Sequence, residues 1–385
     1  MLLQDKKVAI VGGGPGGLTL ARLLQMKGAD VKVYERDVNR QVRVQGATLD
    51  LHYESGLKAL KAANLIEAFK ITYRPGAEQI RVTNADAKIY LDQHEAGTIE
   101  DFDSPWFRPE IDRGPLREIL LDSLQPATVI WNSYIIAAEK NGAGWILKFH
   151  DGSVAQADIV IAADGANSKI RPLITEIKPF YSGITALEGN IYNADINAPH
   201  LAKLLNGGKI FSFGYSQTII LSSKGDGSIA FYAGFRTDGN KLPTIDLTNN
   251  IQVVNWFQSE FHGWSSVWYQ LFAHHATTFA FRPFYCMPLD QHWAAQDNIT
   301  MLGDAAHLMP PYAGEGVNMA MLDALELSEA ITGDTFADLL SAITYYEKQM
   351  LQRFVKIGSI TLDNTAWMHS SEGLKKILEL FNHAD

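Results

Sequence analysis

Residues 12 to 18 read GGGPGGL, directly after the apolar run Val8–Val11. Five glycines in six residues, where a strand should pass into a helix, leave few foldings open. Gly12, Gly14 and Gly17 have the spacing G-x-G-x-x-G. In that spacing the first glycine permits a tight turn, the second lets a pyrophosphate approach the backbone, and the third lets helix and strand pack closely. A helix N-terminus then offers unpaired N–H groups and a partial positive charge to phosphate. Leu18, Leu20, Ala21, Leu23 and Leu24 follow at helical spacing, closed by Gly28, and DVKVYER reads as a second strand. Glu35 ends that strand 18 residues beyond Gly17, where an acid can hold ribose hydroxyls. The first forty residues thus predict a Rossmann-like βαβ unit that binds a dinucleotide, without deciding between NAD and FAD.

Composition narrows the surroundings of that unit. The chain has 385 residues and a net charge of -10, so a nucleic-acid groove or an anionic membrane surface is not expected. Its single cysteine, Cys286, excludes an intramolecular disulfide and a multi-thiolate metal site, and reads as a small buried hydrophobe. MLLQDKK holds too few apolar residues for a signal peptide, and no run approaches a transmembrane span. A soluble, cytoplasmic, monomeric protein with no metal is the expectation.

The pattern changes along the chain. RGPLREILLDSL (113–124) reads as an amphipathic helix, and residues 128–165 as a run of strands with turns at Asn141-Gly142 and Asp151-Gly152. From about 178 to 285, GGKIFSF, TIILSS and GSIAFYAGFR are short strands, with the hairpin signal KGDG between the last two. They predict an antiparallel sheet, to which residues 74–100 add a strand or two. VVNWFQSEFHGWSSVWYQLFAHH is expected to be a helix packed between domains, because no basic face accompanies it. The expected layout is α/β. A nucleotide domain (1–73, 101–177 and 286–332) is interrupted by a sheet domain that binds substrate (74–100 and 178–285). A helical segment, 333–385, bridges the two.

Two later segments resolve the cofactor. ADIVIAADGANSKIR ends a strand at Asp164-Gly165. ITMLGDAAHLMPPYAGEGVN ends another at Gly303-Asp304 and opens a helix through a proline-glycine loop. With the first fingerprint, these three motifs in this order resemble the single-component flavoprotein aromatic hydroxylases, the p-hydroxybenzoate hydroxylase class, over nearly the whole chain. VYERD, GATLDLH, LREILLDSL, GDAAHLMPPYAGEGVN and YYEKQM look most like the Tet(X)-type tetracycline-inactivating monooxygenases.

The resemblance implies FAD as the resident cofactor and NADPH as a transient donor, since no second fingerprint is present. It implies that oxygen adds at flavin C4a and that one oxygen atom passes to an aromatic, phenolic or polycyclic enol carbon. The flavin carries that chemistry, so no catalytic side chain is expected. Asp304 would accept from the ribityl chain, Arg117 would reach the pyrophosphate or ribityl, and Arg36 the adenosine side. Asp164 would lie between FAD and the site where NADPH reacts. Pro311, Gly314, Gly316, Val317 and Asn318 would bring a helix N-terminus to the flavin N1–C2=O edge, whose dipole stabilises negative charge on reduced flavin. His307 lacks a G-x-S-x-G partner and reads as structural.

The substrate pocket is expected between flavin, the sheet around 186–235 and the helix near Asn364 and Met368. Phe211, Leu221 and Met368 would line it. Tetracycline-inactivating relatives carry glutamine, arginine and histidine where this chain has Glu188, Lys209 and Ala230, so tetracycline is a candidate substrate with weakened polar contacts and a repelled enolate. A flavin oxidase or reductase without hydroxylation, and a non-catalytic binder on the same fold, stay open as alternatives.

Overall fold

The computed structural model describes residues 2–42, 47–95, 100–238, 241–272 and 279–382. Gly46 of the GATLDLH segment and residues 273–275 of the aromatic stretch lie outside these. The chain opens with β1 (Lys7–Val11), helix α1 (Pro15–Met26) and β2 (Asp30–Tyr34). Pro15 starts α1, where its fixed φ suits a first turn and its missing N–H costs nothing. The chain then leaves for β3 (Ile80–Asn84) and β4 (Ile89–Asp92) and returns through α2 (Arg113–Asp122) and β5 (Val129–Ile130). A meander of three strands, with glycine turns after Asn141 and Asp151, leads into β6 (Ile159–Ala162).

Next come β7 (Phe180–Ile191), β8 (Lys209–Gly214), β9 (Gln217–Ser223) and β10 (Ile229–Arg236), then helix α3 (Asn250–Glu260) and β11 (Ala280–Cys286). The chain closes with β12 (Ile299–Met301), α4 (Gly316–Thr332), α5 (Leu339–Met368) and α6 (Gly373–Asn382).

These strands form two principal sheets. The first, in the order β12-β6-β1-β2-β5, is parallel throughout. Its central strands are apolar on both faces, as a sheet covered by helices on both sides requires. Its C-terminal edge gathers the ends of β1, β2, β6 and β12, and therefore all three motifs. The second sheet runs β11-β7-β10-β9-β8-β3-β4. It is mixed rather than wholly antiparallel, because β3 joins β8 in parallel.

The aromatic stretch does not pack between the two sheets. It forms α3 and a 3-10 segment (Ser266–Phe272) on the far face of the second sheet. There Phe257, Phe261, Trp264, Trp268 and Phe272 are buried against Leu187, Ile210, Leu221, Phe231 and Phe235. The back of this sheet is otherwise apolar, and each large side chain buried there contributes roughly 1.5–3 kcal/mol. That gain decides where the aromatic segment goes. Among the described residues no helix is long and apolar enough to cross a membrane, and no side-chain cluster could hold a metal ion.

Candidate active site

The glycine turn shows why those positions tolerate nothing larger. Gly12 lies at φ +109, and a Cβ there would collide with the Ala163 carbonyl oxygen. A Cβ at Gly17 would strike the Gly12 carbonyl oxygen. At Gly14 nothing lies within 4 Å, so the second glycine leaves an open cradle at the start of α1. Glu35 is 2% exposed, and both its oxygens already accept backbone hydrogens, from Gly13 N at 2.5 Å and Asp37 N at 2.9 Å. In this fold it clamps the glycine turn to the end of β2. Arg36 is exposed beside it. Arg117 is buried, donates to Asp37 Oδ2 at 2.9 Å, and keeps its Nε without an acceptor among the described residues.

The two aspartates of the later motifs lie at the ends of neighbouring strands. Asp164 accepts from Lys169 N at 2.7 Å through Oδ2, while its buried Oδ1 has no partner among the described residues. Burial raises its carboxyl, against hydrogen bonds that lower it. The Asp304 carboxylate is open to the cleft and makes no hydrogen bond among the described residues. The protein enclosing it raises its pKa, against the charges of His307, Arg113 and Arg171.

Two residues not singled out from the sequence hold this turn. Arg171 donates to the carbonyls of Ala305 (2.6 Å), Asp304 (2.9 Å) and Ala166 (3.0 Å), and so bolts the two aspartate loops together. Asp323, on α4, accepts from Gly303 N (2.9 Å), His307 Nε2 (2.5 Å) and Arg353 (2.7 Å). Burial works against its charge, but His307 and Arg353 outweigh it and hold the carboxyl below its usual range. The His307 hydrogen bond therefore goes to Asp323 and not to Asp304.

The proline loop leads from Pro311, exposed, through Gly314 and Gly316 to the half-buried Val317. The Asn318 side chain is consumed internally. It accepts from His52 N at 2.9 Å and donates to the carbonyls of Asp50 (2.9 Å) and Gly314 (3.2 Å). His52 sits between Asp50 (3.0 Å) and Glu315 (3.1 Å). Burial opposes its charge, but these two carboxylates raise it to about 9. Tyr312, another residue the sequence reading passed over, bonds His369 Nε2 at 2.7 Å, and Asn364 donates to its carbonyl at 3.0 Å. Burial and the nearby Arg236 push His369 down to about 3, so the imidazole stays neutral.

Across the cleft, the second sheet presents three cross-strand rows. Lys209, Ser222, Ala230 and Asn190 form the first, Phe211, Ile220, Tyr232 and Glu188 the second, and Phe213, Thr218, Gly234, Ala186 and Arg282 the third. The first row is closed by an ion pair between Lys209 and the fully buried Glu110, on the short strand Glu110–Ile111. Burial disfavours the ammonium, yet Glu110 and Asp50 keep it charged. Lys209 is thus committed to the protein and not free to grip a ligand. Tyr312 and His369 close the third row. A Cβ on Gly234 would lie 2.7 Å from His369 Cε1 and 2.9 Å from the Tyr312 hydroxyl. The second row lies between them, half-buried, with Phe211 and Ile220 against the cluster of Val82, Phe213, Met368 and Ile377.

Two expectations about this wall need correcting. Leu221 faces the other way, opposite Ile210 and Phe231 in the aromatic core, and Ile220 takes its place. Glu188 is not a bare charge that repels an enolate, because Tyr232 donates to it at 3.0 Å and Arg282 Nε at 2.5 Å. Met368 packs with Val82, Phe213 and Ile377, the cluster against which Phe211 and Ile220 also lie.

An open glycine cradle at a helix start and an unpartnered carboxylate at the next strand end fit a pyrophosphate and a polyhydroxyl chain. Facing a second sheet across a cleft, they define a flavin-dependent monooxygenase class of site. The chain belongs to the FAD binding domain family of class A flavoprotein hydroxylases, which it matches over residues 5–353. Monooxygenase asqM of Emericella nidulans is 29% identical over 386 residues, 86% of this chain and 85% of that protein. The 3-amino-4-hydroxybenzoate 2-monooxygenase PtnB3 of Streptomyces platensis is 25% identical, covering 97% and 91%. The solved structure of tetracycline destructase Tet(51) superposes with TM-score 0.73 at 18% identity, covering 97% and 96% of the two chains. At that identity the fold is what the two share.

Proposed function

We propose that this protein uses NADPH and O2 to hydroxylate a phenolic or enolic aromatic small molecule in the cleft between Asp304 and the second row of sheet residues. The observation that carries this reading is the Asp304 carboxylate, open to the cleft at a strand end beside the glycine turn and without a hydrogen bond among the described residues. Bound FAD would supply hydride acceptance from the nicotinamide and activation of oxygen. Gly12, Gly14 and Gly17 would hold its pyrophosphate, Asp304 its ribityl hydroxyls, and the turn from Gly314 to Asn318 its pyrimidine edge. Arg117, Arg36 and Asp164 would complete the cofactor's surroundings.

The chain's own contribution is positioning and exclusion of water. Phe211 and Ile220 provide an apolar surface for a ring, and Tyr232 a phenol held in its protonated form. Burial first, then Glu188, pushes that phenol up to about 12. With Lys209 committed to Glu110, tetracycline is one polycyclic candidate among phenols and enols, not a favoured one.

The test is NADPH consumption by purified holoenzyme against a panel of phenols, aminophenols and tetracyclines, with product mass. A mass gain of one oxygen in a substrate that stimulates NADPH oxidation is the expected result. Peroxide as the sole product throughout would assign an oxidase, and a protein that purifies without flavin would assign a binder.

A further inference from the structure

His52 follows the short strand Leu49–Asp50, and the extended backbone there turns Asp50 and His52 to one side. The His52 N–H donates to Asn318 Oδ1, and the Asn318 amide donates to the Asp50 carbonyl, which fastens this stretch to the turn 314–318. The imidazole is 10% exposed, with Nε2 3.0 Å from Asp50 Oδ2 and Nδ1 3.1 Å from Glu315 Oε1. Both ring nitrogens therefore face carboxylate oxygens. A neutral imidazole has a single N–H and would turn a lone pair on one of them; only the imidazolium donates to both.

The cluster bears directly on the turn. Gly314 lies at φ +68, and the two Asp50 carboxylate oxygens are 3.4 and 3.5 Å from where a Cβ would stand on it. Glu315, the next residue, immediately precedes α4. Two carboxylates and one imidazolium leave these three side chains with a single net negative charge. Asp50 also faces Lys209, Arg108 and, across its ladder, Glu110. Apolar residues of the same volume often hold a fold at least as well as a buried ion cluster does, so stability alone does not account for a cation here.

We propose that His52 is a positioning residue for the flavin: its charge, held by Asp50 and Glu315, sets the field of the turn 314–318 so that the reduced, anionic cofactor is favoured over the oxidised one. This rests on the reading above that the turn meets the flavin pyrimidine edge.

The test is the midpoint potential of protein-bound FAD at pH 7, read from flavin absorbance against a dye of known potential. Wild type, His52→Gln, Glu315→Gln and the double variant are compared. The potential reports the ratio of affinities for reduced and oxidised FAD, so a loosened fold that weakens both alike leaves it unmoved. His52→Gln removes a positive charge and should lower that ratio at least about tenfold, or about 30 mV for two electrons. Glu315→Gln keeps an acceptor for Nδ1, leaves Asp50 on Nε2, removes a negative charge, and should raise the ratio by a similar factor. The double variant restores the wild-type net charge and should return to the wild-type potential. Lys209, Arg108 and Glu110 are the same in all four proteins and cancel from the comparison. Equal potentials in wild type and both single variants, single variants that move the same way, or a double variant that stays with His52→Gln would overturn the proposal. If His52→Gln retains no FAD, Glu315→Gln decides alone, and a potential at or below wild type overturns it. Failure of the hydroxylase reading appears separately, as potentials that follow the charge in a protein that transfers oxygen to no substrate.

Discussion

Asp323→Asn should loosen the cofactor loop from behind. The wild-type carboxylate is fully buried and accepts three donors, from Gly303 N, His307 Nε2 and Arg353. Asparagine can accept through one oxygen only, and its amide would face at least one of these donors. Removing one partner of a buried ion pair costs about 3–5 kcal/mol. At about 2 °C per kcal/mol in a chain this large, Tm should fall by about 6–10 °C. Gly303 sits at φ +59, a conformation the Asp323 hydrogen bond helps hold, and Asp304 follows it directly. FAD affinity should therefore fall as well, by about tenfold if one charged hydrogen bond to the ribityl chain is lost. Melting with and without saturating FAD separates the two effects, and quenching of flavin fluorescence gives the Kd. His307→Gln, which keeps a donor toward Asp323 but not the ring geometry, should fall between wild type and Asp323→Asn. Wild-type Tm and wild-type FAD affinity in Asp323→Asn would refute the clamp.

The remaining expectations follow from single contacts. Asp304→Ala should weaken FAD binding by roughly 1.5–3 kcal/mol, read by the same fluorescence titration; unchanged affinity would reassign the carboxylate. Gly17→Val should abolish flavin retention, because a Cβ there meets the Gly12 carbonyl oxygen; a yellow, normally folded variant would show that the turn has room to give. Glu347 is buried between Trp293 and Thr300, and burial raises its carboxyl to about 7 against the hydrogen bonds they donate. A folded pKa above the unfolded value of 4.5 gives stability that is full below pH 4.5 and lost as pH rises through 7. The loss is on the order of 3 kcal/mol. Glu347→Gln should thus gain Tm over wild type at pH 8 relative to pH 5, and a pH-independent difference would sink the assignment. Steady-state rates with both nicotinamides should favour NADPH, and a clear NADH preference would overturn that choice.

Local chemistry sufficed wherever one stretch of chain carries its own constraint. GGGPGGL between an apolar run and a helical run admits little except a glycine turn under a helix start, and that turn is present with Gly14 open. The hairpin between β9 and β10 turns at KGDG, and the strand ends at Asp164 and Gly303 lie beside the first glycines because parallel strands bring their C-terminal ends to one edge. Which face of a strand looks into the cleft is another matter. β8 and β9 join through Tyr215 (φ 52) and Ser216 (φ 59), residues that do not announce a turn with two positive φ angles as Asn-Gly would. Their register was therefore not legible, and in a period-two structure a slip of one residue exchanges Ile220 for Leu221. Nor could a sequence show that Lys209 meets Glu110, that Asn318 locks onto His52, or that Arg282 is turned by Glu188. Each pair is separated by roughly a hundred residues or more, and only the tertiary fold, strand pairing included, brings them together. Sequence determined that a dinucleotide would be held at the edge of a parallel sheet. The tertiary structure decided which charges are consumed in holding the sheets together and which remain free to meet a substrate, because a charge buried away from water must find its partner wherever the fold places one.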